Sequence, residues 1–486
     1  MTDIPSLNFR LPAGWTFDSQ LDLAEFHADC VLVGSTTGDP APILLGKLAE
    51  FQSMRKSVWL DTKGAHAVYV MGKRRSGKSY TLGVLLEGLT SAGWIAQGPP
   101  INQAVIVFDT MNVFLTAATP AGSVISPSSS QGQDMKRWHL PNTHPRMRFY
   151  HPAGTAGPTE VGSTEIGLRA TDITLEDWYR FFELDPYADP IAHLLADARQ
   201  RVEIDGYQSD AGESIAAEPN FQLADLVTCI RTCAAFTSYD DRTREATARR
   251  LEAMQRLGIF SDSAATAANI LVAGEATILF LRDIDQSLRA LFVSVLVRRL
   301  MERRSSAEKF ERLSALKYAE ASMAEGAKRA SLVHEAVTFR DLAQAGTPRT
   351  WVIIDEAHNY IPVRGEPPSR RPLKKLIDEG RNLGLSVVVA TQQPSGLDQS
   401  IQRNADLLLV HSMSVRDDID AASNMLNTRV PDSVTIETRV RSDTRVFERV
   451  IRSLPRGYCL VSSDEADRIF PILVRPRISY HGALEY

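Results

Sequence analysis

The chain has 486 residues, with 54 Lys and Arg against 59 Asp and Glu for a formal net charge of −5, and is 44% hydrophobic and 23% charged. This is the make-up of an ordinary soluble protein long enough for two or three domains with cores of their own, and its acidic balance excludes a surface coated in basic residues for nucleic acid while leaving room for a locally basic channel. No window approaches ~18 consecutive apolar residues, and Met1-Thr2-Asp3-Ile4-Pro5 lacks the basic and apolar regions of a signal peptide, so a cytoplasmic protein without membrane association is expected.

In chain order, the first strong signal is Ala67 to Met71, a short apolar, β-prone run, followed by Gly-Lys-Arg-Arg-Ser-Gly-Lys-Ser over Gly72 to Ser79 and by helical spacing from Tyr80 to Leu89. The octapeptide fits the phosphate-binding loop G-x-x-x-x-G-K-[ST] at every constrained position, in the strand, loop, helix context that the motif requires. Gly72 and Gly77 let backbone N–H groups close around phosphates, Lys78 reaches the β- and γ-phosphates, and Ser79 ligates Mg²⁺. Ser76 and Tyr80 complete the set of candidate nucleotide-binding residues on this loop.

A buried-strand pattern over Ala104 to Asp109 ends in an acid and runs on into a Ser/Gly/Pro-rich loop through Pro127 to Gly132. Arg146 to Tyr150 reads as a further short strand. From about Leu175 to Leu257 the pattern turns helical, in Asp189 to Leu195, in Phe221 to Val227 and in the charged run Arg242 to Arg256. Cys229 and Cys233 lie four apart in that pattern without nearby His, and Cys30 and Cys459 stand alone, so reduced core thiols are expected instead of a disulfide or a zinc site. Strand character resumes at Thr277 to Leu281, then a helix from about Gln286 to Arg304. The Ala/Glu/Lys/Ser-rich stretch Glu308 to Glu335, lacking a sustained heptad, reads as a solvated helix or a mobile connection.

Trp351 to Ile354 then reads as a strand buried on both faces, delivering Asp355 and Glu356 at its carboxyl end, where α/β sheets place their ligands. Asp355 would hold Mg²⁺ through water and Glu356 would orient an attacking water, a group that an NTP hydrolase needs and a kinase does not. His358 reads as a structural neighbour of this site, not as its base. Two further strands follow at Ser386 to Gln393 and Ala405 to Val410. Strands alternating with helices imply a doubly wound, mostly parallel α/β sheet with an all-α insertion.

Taken together, the residues resemble one family, the HerA-like branch of the HerA/FtsK hexameric ATPases. The resemblance rests on Ile353 to Pro362, Asp378 to Gly384 and Val389 to Ser395, in the family's order and spacing, together with Leu279 to Ile284 before the long helix, and covers roughly residues 60–480. It implies a RecA-like fold, ATP and Mg²⁺ as ligands, and self-assembly as a homo-hexamer. It also implies that Gln392 senses the γ-phosphate and that Arg381 acts on nucleotide bound by a neighbouring subunit. A guanidinium supplied in trans stabilises the charge of a loose phosphoryl-transfer transition state and couples hydrolysis to subunit arrangement. A salt bridge from Arg381 to Asp378 or Glu379, and a turn-capping amide at Gln392, stand as the alternatives.

Three features depart from the family. Only about 60 residues precede the phosphate-loop strand, so the family's N-terminal β-barrel is abbreviated or replaced; Thr110 to Phe114 stands where many relatives carry Gly-Glu-Tyr; and Lys73, Arg74 and Arg75 make the loop basic. The expected organisation is a short β-rich segment over 1–60, the first part of the ATPase core over 61–170, a helical insertion over 171–270 and the second part of the core with a C-terminal tail over 271–486. Arg364, Arg370, Arg371, Lys374 and Lys375, against the single acid Glu366, follow the second motif where relatives put loops into the ring's pore. There they would grip the phosphates of double-stranded DNA without reading bases, unless they are solvated surface. Two functions are carried forward: a DNA-translocating motor working with a separate nuclease in end processing or anti-phage defence, and an ATPase scaffold that assembles and regulates an effector, a nuclease or a sirtuin-like NAD hydrolase.

Overall fold

The computed structural model describes residues 30–34, 41–49, 56–90, 103–261, 270–427, 444–463 and 468–482. Met1 to Pro5, like most of the 1–60 segment, lies outside the described residues. Fifteen strands are named in chain order. The N-terminal ones are β1 (Cys30–Val33), β2 (Pro42–Leu48), β3 (Ser57–Asp61) and β4 (Ala67–Met71), then β5 (Gln103–Asp109), β6 (Met147–Pro152) and β7 (Thr164–Ile166). After β8 (Tyr207–Gln208) and β9 (Ser214–Ile215) come β10 (Ala276–Phe280), β11 (Arg349–Ile354), β12 (Leu385–Thr391) and β13 (Leu407–Val410), and last β14 (Tyr458–Ser463) and β15 (Arg468–Val474).

All but β8 and β9 form one 13-stranded sheet in the order β1-β3-β2-β15-β14-β13-β4-β12-β11-β5-β10-β6-β7. From β13 to β7 every neighbouring pair is parallel, the pattern expected of strands joined by helical crossovers. The described N-terminal strands extend this sheet through the antiparallel pairs β14/β15, β15/β2 and β2/β3. The apolar runs of β4, β5, β11 and β12 are continuous instead of alternating because both faces are covered. Tyr69, Phe108, Ile354 and Val389 enter one core cluster, and Val70, Val107, Ile353 and Val388 enter the other.

The first cluster takes in the insertion between β7 and β10, whose described residues are mainly helical with one hairpin, β8/β9. Its helices Leu175–Phe181, Pro190–Gln200, Leu223–Thr232 and Asp241–Arg256 overlap each helical pattern read from the sequence, with Asp189 and Gln222 at the caps and Phe221 before the helix. A polar network fastens it to the helix Gln286–Ser322: Ser294 Oγ and Arg298 Nη2 donate to Asp177 at 2.6 and 2.8 Å, and Arg299 Nε donates to Asp172 at 2.8 Å.

Two expectations need correction. The Ser/Gly/Pro-rich loop is interrupted by a helix, Ser130–Arg137, because Ser129 caps it by accepting the Gly132 N–H. Of the two readings of Glu308 to Glu335, the solvated helix holds and the mobile connection does not: the stretch is mostly exposed and helical on both sides of a short turn at 323–325. Helix Gln286–Ser322 continues far past Arg304 and packs against Gly326–Ala345 as a helical hairpin. Ala307, Ser314, Ala321, Ala336 and Ala343 are buried along the hairpin beside Leu332, the Phe310 and Phe339 rings stack across it, and Ser314 Oγ donates to the Ala336 carbonyl at 2.8 Å.

Candidate functional site

Strands β4, β12 and β11 are neighbours and parallel, so the loop after β4, Gln392 after β12 and Asp355-Glu356 after β11 emerge at one edge of the sheet. Position thus comes from strand order, with Gln392 between the two motifs. The loop's glycines are sterically required. A Cβ at Gly72 would lie 2.5 Å from Ser76 Oγ and 2.6 Å from His411 Cβ, and Gly77 has φ 111°, a conformation that L side chains rarely adopt. The helix α1 (Lys78–Thr90) starts directly from this loop, aiming its free N–H groups into the cradle.

Lys78 is buried, and its Nζ lies 2.5 Å from Asp355 Oδ1 and 3.1 Å from Glu356 Oε1. Burial alone would lower the lysine's pKa. Asp355 and Glu356 outweigh it and hold the ammonium above its ordinary value. Ser79 Oγ donates to Asp355 Oδ2 at 3.3 Å, and Gln392 Nε2 donates to Glu356 Oε1. His358 Nδ1 stands 3.1 Å from Thr391 Oγ1 and 3.5 Å from Glu356 Oε2, and burial lowers its pKa, so at neutral pH it is an uncharged neighbour. Glu356 has φ 51°, a left-handed backbone that a non-glycine residue adopts at an energetic cost and that turns its carboxylate back toward Lys78.

The residues fit a Mg²⁺-nucleotide. Ser76 Oγ and Glu356 Oε2 are buried without a hydrogen-bond partner, the loop is closed around its glycines, and a cation and two hard oxygen ligands, Ser79 and Asp355, face one another. Among the described residues no group of three His, Cys, Asp or Glu side chains is arranged to hold a metal by itself. Lys73, Arg74 and Arg75 are exposed on the outer side of the loop.

Arg381 is not brought to this edge. It lies in the turn Gly380–Leu383 just before β12, at the opposite end of the strand from Gln392, and is half-exposed. Its Nη2 donates to the Asn404 carbonyl at 2.8 Å and lies 3.4 Å from Asp406, so its intramolecular partner is neither Asp378 nor Glu379. The five basic candidates separate. Arg370 is held by the Gly365 carbonyl, Glu366 and Asp398, each within 2.7 Å, and is mostly covered. Arg371 pairs with Glu176 of the insertion, and Lys375 lies 3.9 Å from Glu379. Arg364 and Lys374 are exposed and form no ion pair among the described residues.

The sequence reading assigned no role to three residues around the site. His411, directly after β13, is buried beside the loop with its Nε2 3.0 Å from Thr81 Oγ1 and its Nδ1 3.0 Å from the Tyr458 carbonyl; burial pulls its pKa down to about 4. Its position after an apolar strand was the available signal. Asp109 accepts N–H groups from Met111, Val113 and Phe114, and burial pushes its pKa up to about 6. Third, Glu87 on α1 is fully buried between Arg475 and Arg477, with Nη1 of Arg475 at 2.8 Å and Nε of Arg477 at 3.2 Å.

Burial would raise the Glu87 pKa, but the two guanidiniums and Ser479 hold it below the ordinary value. A depressed folded-state pKa means this stabilisation is complete above the unfolded pKa and is lost as pH falls through the folded one. Glu87→Ala, leaving both guanidiniums buried without their carboxylate, is expected to cost about 3–5 kcal/mol in chemical unfolding at neutral pH. The penalty should shrink in acid.

The family model for the central domain of the HerA helicase (DUF87) matches residues 45–300, more than half of the chain and inclusive of the phosphate loop. No curated protein matches the sequence. Among solved structures, VirB4 of Thermoanaerobacter pseudethanolicus is 13% identical over 90% of this chain and 98% of its own, with a TM-score of 0.50, which shows a shared fold. The plasmid coupling protein TrwB in complex with ADP and Mg²⁺ is 14% identical over 92% of this chain and 98% of its own, with a TM-score of 0.47. The genome packaging NTPase B204 of Sulfolobus turreted icosahedral virus 2 is 10% identical over 84% of this chain and 97% of its own, with a TM-score of 0.28. Among the described residues no helix is long and apolar enough to cross a membrane. With a RecA-like mostly parallel sheet, a phosphate loop facing an Asp-Glu pair, and the family match across residues 45–300, the chain belongs to the HerA family and is a P-loop ATP hydrolase of the HerA/FtsK type.

Proposed function

We propose that this ATPase assembles into a ring, a homo-hexamer by family resemblance, that grips and translocates double-stranded DNA and works with a separate nuclease or other effector in DNA end processing or anti-phage defence. The observation that carries this reading is the separation of Arg381 from the phosphate loop by the full length of β12. A half-exposed guanidinium at the amino end of β12, with the nucleotide at the carboxyl end, is of no use to its own nucleotide. It suits one bound by the next subunit in a ring.

Within each site Lys78 binds the β- and γ-phosphates, Ser79 and water held by Asp355 take the Mg²⁺, and Glu356 orients the attacking water. When bound, Mg²⁺ neutralises the charge developing on the transferred phosphoryl group. Gln392, hydrogen-bonded to Glu356, links the γ-phosphate position to the strand that leads back to Arg381. That strand is a direct mechanical connection between one site and the next.

For DNA, Arg364 and Lys374 are the residues to test, because Arg370 is committed to Asp398 and Glu366. Reversing both to Glu is expected to weaken duplex binding about equally for unrelated sequences and to reduce the slope of log affinity against log salt by about one for each phosphate no longer neutralised. Stimulation of hydrolysis by DNA should fall with it. Unchanged binding and slope would return this segment to ordinary surface. The scaffold reading draws its support from the same residues: with Arg370 and Arg371 engaged in intramolecular pairs, the free charge is smaller than the sequence count implies. Hydrolysis stimulated by an effector protein in the absence of DNA would favour it.

A further inference from the structure

We infer that the base of the bound nucleotide stacks on His481, which the C-terminal segment holds beside Tyr80 at the first turn of α1. This rests on the ATP-site reading above and extends it to residues outside both nucleotide motifs. Tyr80 directly follows Ser79, so a nucleotide with its β-phosphate on the loop carries its α-phosphate, ribose and base outward past this turn. The Tyr80 and His481 rings meet edge to face there, with centroids 5.5 Å apart at 86°, and both side chains are only partly buried. Such a corner leaves ring surface for a third aromatic partner.

The segment is built to hold that ring in place. The Arg477 N–H donates to the Tyr80 hydroxyl at 2.7 Å, while its guanidinium reaches Glu87 at 3.2 Å and His481 Nδ1 at 3.0 Å. On the other side, the Tyr480 N–H donates to the Thr119 carbonyl at 2.8 Å and the Gly482 N–H to Thr116 Oγ1 at 2.8 Å. His481 is therefore pinned from both α1 and the loop after β5. Burial, with Arg477 and Arg456 nearby, pulls its pKa down to about 4, so at physiological pH the ring is neutral and offers a π-face instead of a charge. Stacking reads a face and not an edge, so it adds affinity for a nucleoside triphosphate without choosing strongly among bases.

The test measures binding of Mg²⁺-ATP and of inorganic tripolyphosphate to the full chain by calorimetry, for the unaltered protein, His481→Ala, His481→Phe and Lys78→Ala. His481→Ala should weaken ATP about tenfold, the loss of one stacked base, and leave tripolyphosphate unchanged, while His481→Phe should keep ATP close to the unaltered affinity. Lys78→Ala should lose both ligands. Unchanged ATP affinity in His481→Ala overturns the proposal. So does an equal loss in His481→Phe, which would make the Arg477 bond the relevant contact, and so does a parallel loss of tripolyphosphate, which would make the segment a support for the phosphate loop. If the unaltered chain binds neither ligand, the ATP-site reading fails first and this one with it.

Discussion

Glu356→Gln is expected to bind ATP as the unaltered protein does and to lose turnover by a factor of about 10²–10⁴, the range for removing a positioned proton acceptor. Glutamine is nearly isosteric and can still accept a hydrogen bond from Lys78, which lies 3.1 Å from Glu356 Oε1, so the shape of the site survives. What disappears is the negative charge that orients and polarises water. Lys78→Ala should behave oppositely, losing nucleotide binding itself, because its ammonium is the buried positive charge of the site. It also leaves Asp355 and Glu356 without their counter-ion, which adds to the penalty. Equilibrium binding and steady-state hydrolysis, measured separately on both variants, discriminate the roles. Normal turnover in Glu356→Gln would remove Glu356 from the mechanism.

The reaction centre was legible in the sequence because each of its groups sits at the end of its own strand. Lys78 follows β4, Asp355 and Glu356 follow β11, and Gln392 follows β12, so finding the strands located the chemistry. What the residues alone left open was strand order, which puts Gln392 between the two motifs; Arg381 lies at the amino end of β12 because it precedes that strand in the chain. Long-range pairing was equally hidden. Arg370 reads as a free cation until Asp398 is at its side, and the partners of Glu87, Arg475 and Arg477, come from the other end of the chain.

The helices of the hairpin were legible, but their packing against each other was hidden for a different reason. Beside Leu332 and the stacked Phe310 and Phe339 rings, its buried positions are Ala307, Ser314, Ala321, Ala336 and Ala343, and such small residues bury a helix face without producing the large-apolar periodicity by which amphipathic helices are recognised. A seam of alanine and serine looks like a solvated surface in sequence.

Arg381→Ala should bind ATP nearly normally but hydrolyse it about 10³-fold more slowly or worse, the range for removing an arginine finger. The seven residues of β12 separate the turn bearing Arg381 from Gln392, and at about 3.3 Å per residue that is roughly 20 Å, too far for a side chain to act on its own subunit's γ-phosphate. Loss of folding would not account for the defect: the side chain is 43% exposed, and surface contacts like the 3.4 Å pair with Asp406 contribute only about 0–1 kcal/mol. Geometry in trans then makes a stronger demand than loss of activity. In rings mixed from Arg381→Ala and Lys78→Ala subunits, some interfaces join an intact Arg381 to an intact Lys78 site, and hydrolysis should reappear although neither variant supports it alone. A mixture as inactive as its components would confine each site to one subunit. Normal hydrolysis by Arg381→Ala alone would reduce this guanidinium to what its present contacts are, a tie between the turn before β12 and Asp406 at the start of β13.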